Sequence, residues 1–368
     1  MNKGKDIVKT KRERKGKKMR FIHAADIHLG AQPEKGLPWA AKRGEEIWET
    51  FRRLVAYAEQ EKVDFLFIAG DLFHRQPLLK ELKEVNYHFS TLTKTKVVLI
   101  AGNHDYIKQD SYYRTFQWCD QVTFLKSNGM EHCYFMDENV DIYGGSYYAK
   151  EDKNNLYDNL HPADFKRINI LLAHGGDATH RPYSPQRLRE TGFDYIAIGH
   201  LHKPEILLQD RINQAGCLEP INKNEIGERG FFRGEITKTK SKVSFIPFAA
   251  RIYQEEIIHV ENTDTIASIQ KKIVNRIEEH GSENIYRIIL TGTRDEVIEF
   301  TEEKILKLGN IAKFEDQSQP DYDFKTMYRM NQDNVLGKYI KKYIEKEQLT
   351  AVEQKALCYG IRALTFGE

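Results

Sequence analysis

The chain has 368 residues, 40% hydrophobic and 30% charged, a balance that excludes a disordered or fibrous protein and leaves room for one large domain and a smaller one. No apolar run is long enough to span a bilayer, and the start is polar and basic without the pattern of a secretory signal, so a cytoplasmic protein is expected. Charge is uneven: residues 1–20 carry ten Lys or Arg against two acids, leaving 46 basic and 52 acidic residues elsewhere, so a phosphate-rich ligand must be held by that tail, a local patch or another protein.

Residues 1–18 read as a basic, disordered, solvated extension. Beyond them, short apolar runs rich in β-branched and aromatic residues end abruptly in polar loops, at residues 21–25, 65–69, 97–101, 168–173 and 195–198. That is the pattern of buried strands. Helical stretches fall between the first three, at about 41–60 and 79–92; in the former, Ile47, Phe51, Leu54, Val55 and Ala58 recur at helical spacing. Strand and helix alternation predicts an α/β domain with its loops gathered at one edge, and the short strands and Gly/Asn turns of 205–248 suggest a second sheet that completes a sandwich.

Past residue 250 the pattern changes. A strand at 257–260, a helix capped by Thr263 or Asp264 that carries Ile266, Ile269, Ile273 and Ile277 and stops at Gly281, and a strand at 286–290 predict a small α/β domain over 251–325. The polar stretch 316–323 reads as a linker to a helical segment over 326–368, with helices at about 334–345 and 350–365. In the first of these, Leu336, Tyr339, Ile340, Tyr343 and Ile344 form one apolar stripe, which a helix this short must bury against its own domain or a partner. Cys119, Cys133, Cys217 and Cys358 form no C-x-x-C pair and read as reduced bystanders.

The chemistry lies just past the five apolar runs. They are followed by Asp26-Ile27-His28, Gly70-Asp71-Leu72-Phe73-His74, Gly102-Asn103-His104-Asp105, His174-Gly175 and Gly199-His200-Leu201-His202. Ligands of α/β sheets collect outside the carboxyl ends of strands, so these residues are expected to converge on one edge. Imidazole mixed with carboxylate and amide oxygen suits two divalent ions of borderline softness. Asp26 and His28, two apart on extended chain, can reach one ion together; His200 and His202 share that geometry, unless each serves a different ion. Asp71 is the candidate for a carboxylate bridging two ions about 3.5 to 4 Å apart, with a water between them acidified into a nucleophile.

The series Asp-x-His, Gly-Asp, Gly-Asn-His-Asp, His-Gly and Gly-His-x-His resembles the complete motif set of the calcineurin-like metallophosphoesterases. The resemblance implies a four-layer α/β sandwich of two mixed sheets flanked by helices. It also implies one ion held by Asp26, His28, Asp71 and His202 and another by Asp71, Asn103, His174 and His200, with His104 a catalytic residue. The segments 21–30 and 70–74, and later 224–230, are similar to the SbcD-like nuclease subunits, including the YhaO-type DNA repair exonucleases, in which the residue matching His74 assists catalysis. This implies a cytoplasmic, nucleoid-associated, manganese-dependent 3′ to 5′ DNA exonuclease with endonuclease activity on single strands or hairpins, the nuclease subunit of an SbcCD-type complex that forms a homodimer. Its C-terminal helices would dock an SbcC or Rad-like ABC-type ATPase. The rival readings are a small-molecule phosphodiesterase or phosphatase with the same ions, and a noncatalytic scaffold subunit.

Overall fold

The computed structural model describes residues 18–346 and 348–366; the basic extension, apart from Lys18, lies outside them. The chain divides after Ala250 into two compact units. The first runs β1 (Met19–Ala24), α1 (Arg43–Glu61), β2 (Phe65–Ala69), α2 (Leu79–Ser90), β3 (Lys96–Ile100), β4 (Val122–Phe124), β5 (Glu131–Phe135), β6 (Val140–Gly144) and β7 (Ile168–His174). It continues with α3 (Pro185–Glu190), β8 (Tyr195–Gly199), β9 (Glu205–Leu208), β10 (Ile212–Gln214), β11 (Gly230–Ile236) and β12 (Ser241–Pro247).

Two six-stranded mixed sheets result, in the orders β12-β11-β1-β2-β3-β4 and β5-β6-β7-β8-β10-β9. The neighbours β1, β2 and β3 are parallel, a pairing that needs a crossover between successive strands, and α1 and α2 supply it. Strand alternation then sorts the side chains into layers. Ile22, Leu66, Ile68, Val97 and Leu99 pack outward against Ile47, Phe51, Leu54, Leu82 and Phe89 of the two helices. Their neighbours Phe21, Phe65, Phe67, Val98 and Ile100 face inward against Val140, Ile142, Ile170, Leu172 and Ala197 of the other sheet. The far face of that sheet carries Leu171, Ala173, Ile196 and Ile198 against Leu188 and Phe193. This is the expected sandwich of two mixed sheets flanked by helices.

The second unit begins with β13 (Tyr253–Val260), α4 (Ile266–His280), β14 (Ile285–Arg294), α5 (Glu302–Leu306), β15 (Ile311–Asp316) and β16 (Gln319–Pro320). It ends with α6 (Phe324–Met330), α7 (Val335–Ile344) and α8 (Ala351–Phe366). Strands β13, β14 and β15 are parallel, with Ile269, Ile273 and Ile277 of α4 packed on Ile258, Ile288 and Leu290. The cap of α4 is Thr265, in a reciprocal pair with Ser268, rather than Thr263 or Asp264; Asp264 instead accepts from Ser268 Oγ at 2.9 Å.

Two expectations are corrected here. The stretch 316–323 is no linker: Gln319 and Pro320 pair with Thr293 and Arg294 of β14, and Asp316 faces the Arg294 guanidinium at 3.4 Å, so its polar residues are consumed within the unit. The stripe of α7 is also spent at home, with Ile340 fully buried against Leu357, Ile361 and Tyr322. Leu336, Tyr339, Tyr343 and Ile344 pack partly buried around them, and Tyr339 donates its hydroxyl to the Ala356 carbonyl at 2.7 Å. Among the described residues no helix is long and apolar enough to cross a membrane.

One buried ion pair ties the start of α1 to the chain after β10. Arg43 and Glu219 are both inaccessible and 3.2 Å apart, and Thr50 donates to the same carboxylate at 2.7 Å. Removing the cation strands a buried carboxylate. We therefore expect Arg43→Ala to destabilise the first unit by about 3 to 5 kcal/mol in urea titrations, with partial recovery in Arg43→Met/Glu219→Gln. A shift below about 0.5 kcal/mol would show the pair to be idle.

Candidate metal centre

Asp26 and His28 follow β1, Asp71 and His74 follow β2, Asn103 and His104 follow β3, His174 closes β7, and His200 and His202 follow β8. The first three of these strands are parallel neighbours, as are β7 and β8 in the facing sheet, so their ends open on one edge. All the residues singled out in the sequence meet there. His28 Nε2 lies 2.9 Å from His202 Nε2. The Asn103 amide oxygen lies 2.9 Å from both His174 Nε2 and His200 Nδ1. Between these two groups sits Asp71, whose Oδ2 is 3.5 Å from His174 Nε2 and 3.9 Å from His28 Nε2. Donor atoms of Asp26, His28 and His202 lie within 4.8 Å of one another, as do those of Asp26, Asp71 and His174, and of His28, His74 and His104.

The backbone reaches this arrangement at a cost. Asp26, His28, Asp71 and His200 have φ of 49°, 52°, 51° and 97°, a region that residues with a Cβ enter rarely and at roughly 1 to 3 kcal/mol each when strained. Hydrogen bonds from the Asp26 and His28 amides to the Gly70 and Asp71 carbonyls, both 3.1 Å, hold the turns. Two glycines clear the space: a Cβ on Gly70 would overlap the His174 ring, and one on Gly102 would overlap the Asp71 carboxylate.

A ring of oxygens fixes which nitrogen of each imidazole faces inward. His174 Nδ1 donates to the Ala69 carbonyl at 2.8 Å, His200 Nε2 to Asp177 at 2.7 Å, His202 Nδ1 to Glu225 at 2.6 Å and His104 Nδ1 to the His74 carbonyl at 3.0 Å. In its neutral form each has a lone pair on its other nitrogen; burial opposes a proton on His174 and His202, but Asp71 outweighs it and lifts His174 to about 9, and Glu225 lifts His202 above its ordinary value. The His104 amide donates to Asp71 Oδ1 at 2.8 Å, which leaves Oδ2 as the oxygen between the two groups. Asp105, inaccessible, accepts from the Gly102 amide, the Phe73 amide and the Tyr113 hydroxyl at 2.8, 3.2 and 2.9 Å and so ties the loop after β3 to the loop after β2.

Burial dominates the electrostatics. It pushes the Asp26 carboxyl up to about 6 and, with help from Asp71, that of Asp105 up to about 7. Burial also drives His28 well below its ordinary value despite Asp71 nearby, and takes His200 down to about 4 with help from His174. Asp71 goes the other way: burial opposes its charge, but His174, His28 and His104 outweigh burial and hold it ionised. Inward-facing lone pairs, one ionised carboxylate and few donors between them are what a cation satisfies. This donor set accommodates divalent metal: Asp26, His28, Asp71 and His202 could hold one ion and Asp71, Asn103, His174 and His200 a second.

Asp177, Glu225 and Asp105 are the functional residues that sequence reasoning passed over. Asp105 stood inside a quoted motif and Glu225 inside a quoted segment, each without a role; Asp177 follows His174-Gly175-Gly176 and looked like any loop carboxylate. Glu225→Ala and Asp177→Ala should each weaken divalent-metal binding about 10- to 100-fold in calorimetric titration, the usual cost of losing a carboxylate behind a ligating imidazole. Unchanged affinity in both would reduce these carboxylates to loop ties.

Comparison with known proteins agrees with this geometry. The model of the calcineurin-like phosphoesterase family matches residues 19–204, a span from β1 to just past His202. The chain is 27% identical over 298 residues to the metallophosphoesterase YhaO of Bacillus subtilis, covering 75% of this chain and 72% of that one. It is 25% identical over 358 residues to the DNA double-strand break repair protein Mre11 of Saccharolobus solfataricus, covering 89% and 90%. With the Mre11 of Sulfolobus acidocaldarius it shares 24% over 301 residues, 75% of each. The donor cage at the strand ends and the match across half of the chain together make this protein a member of the calcineurin-like phosphoesterase family.

Proposed function

We propose that the chain is a two-metal nuclease that hydrolyses DNA phosphodiester bonds, as the nuclease subunit of an SbcCD-type complex. The observation that carries the reading is the cage around Asp71 Oδ2, with two donor groups sharing one ionised oxygen. Support for DNA comes from the relatives named for double-strand break repair: an alignment of 358 residues is longer than the first unit and takes in the second as well. Asp26, His28, Asp71, Asn103, His174, His200 and His202 would hold two divalent ions, which would supply charge to neutralise phosphate and lower the pKa of a bound water. A donor set that mixes imidazole with carboxylate favours manganese over magnesium, which prefers nearly all-oxygen shells.

The chain's own residues do the rest. His104 keeps Nε2 unengaged because Nδ1 donates to the His74 carbonyl, and its ring stands edge-on to His28 at 4.8 Å. With Nε2 protonated as well, it would bind a phosphate oxygen or give that proton to the departing oxygen. The His74 ring stacks on His104 at 5.2 Å; burial first, and then His104, lower its affinity for a proton, so it remains a neutral partner at the edge of the cage. Residues 19–346 do not supply the basic excess that would hold DNA unaided, and a coiled-coil ABC-type ATPase, with a second copy of the chain, completes the grip. With the α7 stripe buried, that partner meets the faces left open on the last two helices, where Val335 and Val352 are 67% and 77% exposed.

On end-labelled duplex, hairpin and single-stranded DNA with manganese, wild type should give a product ladder. His104→Ala should retain its metals and lose about two orders of magnitude in turnover, with His74→Ala showing a smaller defect, larger for exonuclease than endonuclease cutting. Hydrolysis of bis-nitrophenyl phosphate with every DNA left intact would replace this reading with a small-molecule phosphodiesterase. For the partner, Val335→Glu/Val352→Glu should abolish copurification with the ATPase while leaving bis-nitrophenyl phosphate hydrolysis unchanged. Retained copurification would place the docking surface elsewhere.

A further inference from the structure

The second unit contains a cavity of about 210 Å³ between the β14–β16 edge and α8, lined in part by Arg294, Asp316, Ser318, Tyr322, Lys355 and Tyr359. A single water takes about 30 Å³ of liquid, so the space suits a group of several atoms. Its floor is Arg294, which is only 8% exposed. Asp316 faces one edge of the guanidinium, with Oδ2 at 3.4 Å from Nε. The other Asp316 oxygen is taken by the amide and hydroxyl of Ser318 at 2.9 and 2.5 Å. Asp316 therefore pins the guanidinium without covering it. Among the described residues nothing hydrogen-bonds the two terminal nitrogens of Arg294, and nothing pairs with Lys355, which approaches from α8.

A buried guanidinium with an open edge is costly unless something fills it, and the fork matches the two oxygens of a carboxylate or phosphate. The opposing charges are as informative. Glu296 and Glu299 also line the cavity, and Glu299 faces Arg362 at 3.3 Å. These exposed acids in the lining repel a chain of phosphates but tolerate one charge that reaches Arg294. We propose that this cavity binds a single oxyanion group, a carboxylate or phosphate on a small body, gripped by the open edge of Arg294 and by Lys355. The site lies apart from the metal ligands in sequence and needs none of them, so the inference stands independently of the nuclease reading.

The test is calorimetric titration of the full chain, with EDTA present so that the metal centre takes up no anion. The probes are glutarate, inorganic phosphate and a short peptide with one glutamate. Saturable binding of at least one at a single site is expected, weakened about tenfold or more by Arg294→Gln, the cost of a lost charged hydrogen bond. Arg294→Lys should fail in the same way because it lacks the fork. Tighter binding of the peptide identifies a protein side chain as occupant, and tighter binding of glutarate or phosphate identifies a free small anion. If Arg294→Gln fails to fold, Lys355→Ala decides, because its side chain is exposed and severalfold weaker binding is expected. No saturable binding, or equal affinity in wild type and Lys355→Ala, overturns the proposal. So does a short DNA duplex whose binding depends on Arg294 while all three small probes fail.

Discussion

One oxygen atom organises the catalytic unit. Asp71 Oδ2 sits between imidazoles brought in by both sheets, while Oδ1 is occupied by the His104 amide. Keeping a carboxylate ionised in a wholly buried position requires partners that favour its charge, here His174, His28 and His104, and those partners can only arrive from strand ends that share one edge. The layered packing of Phe65, Phe67 and Val98 against Ile142, Ile170 and Leu172 sets that edge. The glycines at 70 and 102 and the left-handed turns at 26, 28, 71 and 200 follow from the need to bring backbone within reach of the same point.

The donors were legible in the sequence because each follows a run that can only be a buried strand. A histidine or aspartate immediately after Phe65–Ala69 or Ile168–Ala173 has one place to go, and repetition at five strand ends removed the ambiguity of any single case. The oxygens that orient the imidazoles were not legible. Asp177 and Glu225 lie in loops without periodicity, and nothing local distinguishes a carboxylate that backs a histidine from one that faces water. The strands β4 and β5 escaped for a similar reason. Val122–Phe124 has only three residues, and Glu131–Phe135 alternates half-buried with exposed positions at a sheet edge, with His132 and Tyr134 outward.

The C-terminal part shows where pattern and context diverge. The stripe on α7 was read correctly as apolar and in need of cover, but periodicity cannot say whose cover. Tyr322, Leu357 and Ile361 provide it. The polar run at 316–323 misled because a linker and an edge strand held by an arginine look alike in composition. Asp316 and Gln319 are fixed by Arg294 and Thr293 of β14, some twenty positions earlier, and Asp316 in turn holds Ser318.

Strand β1 pairs on one side with β2, its near neighbour in sequence, and on the other with β11, where Met19 lies opposite Ile236. The centre of the first sheet is therefore closed by almost the last strand of its unit to be made. During synthesis β1 remains an open edge while every donor from Asp26 to His202 has already been translated, and such an edge invites pairing with another chain. Loop closure over this separation slows folding. A nascent chain that has produced every donor from Asp26 to His202 therefore still has β1 unpaired on one side until β11 follows.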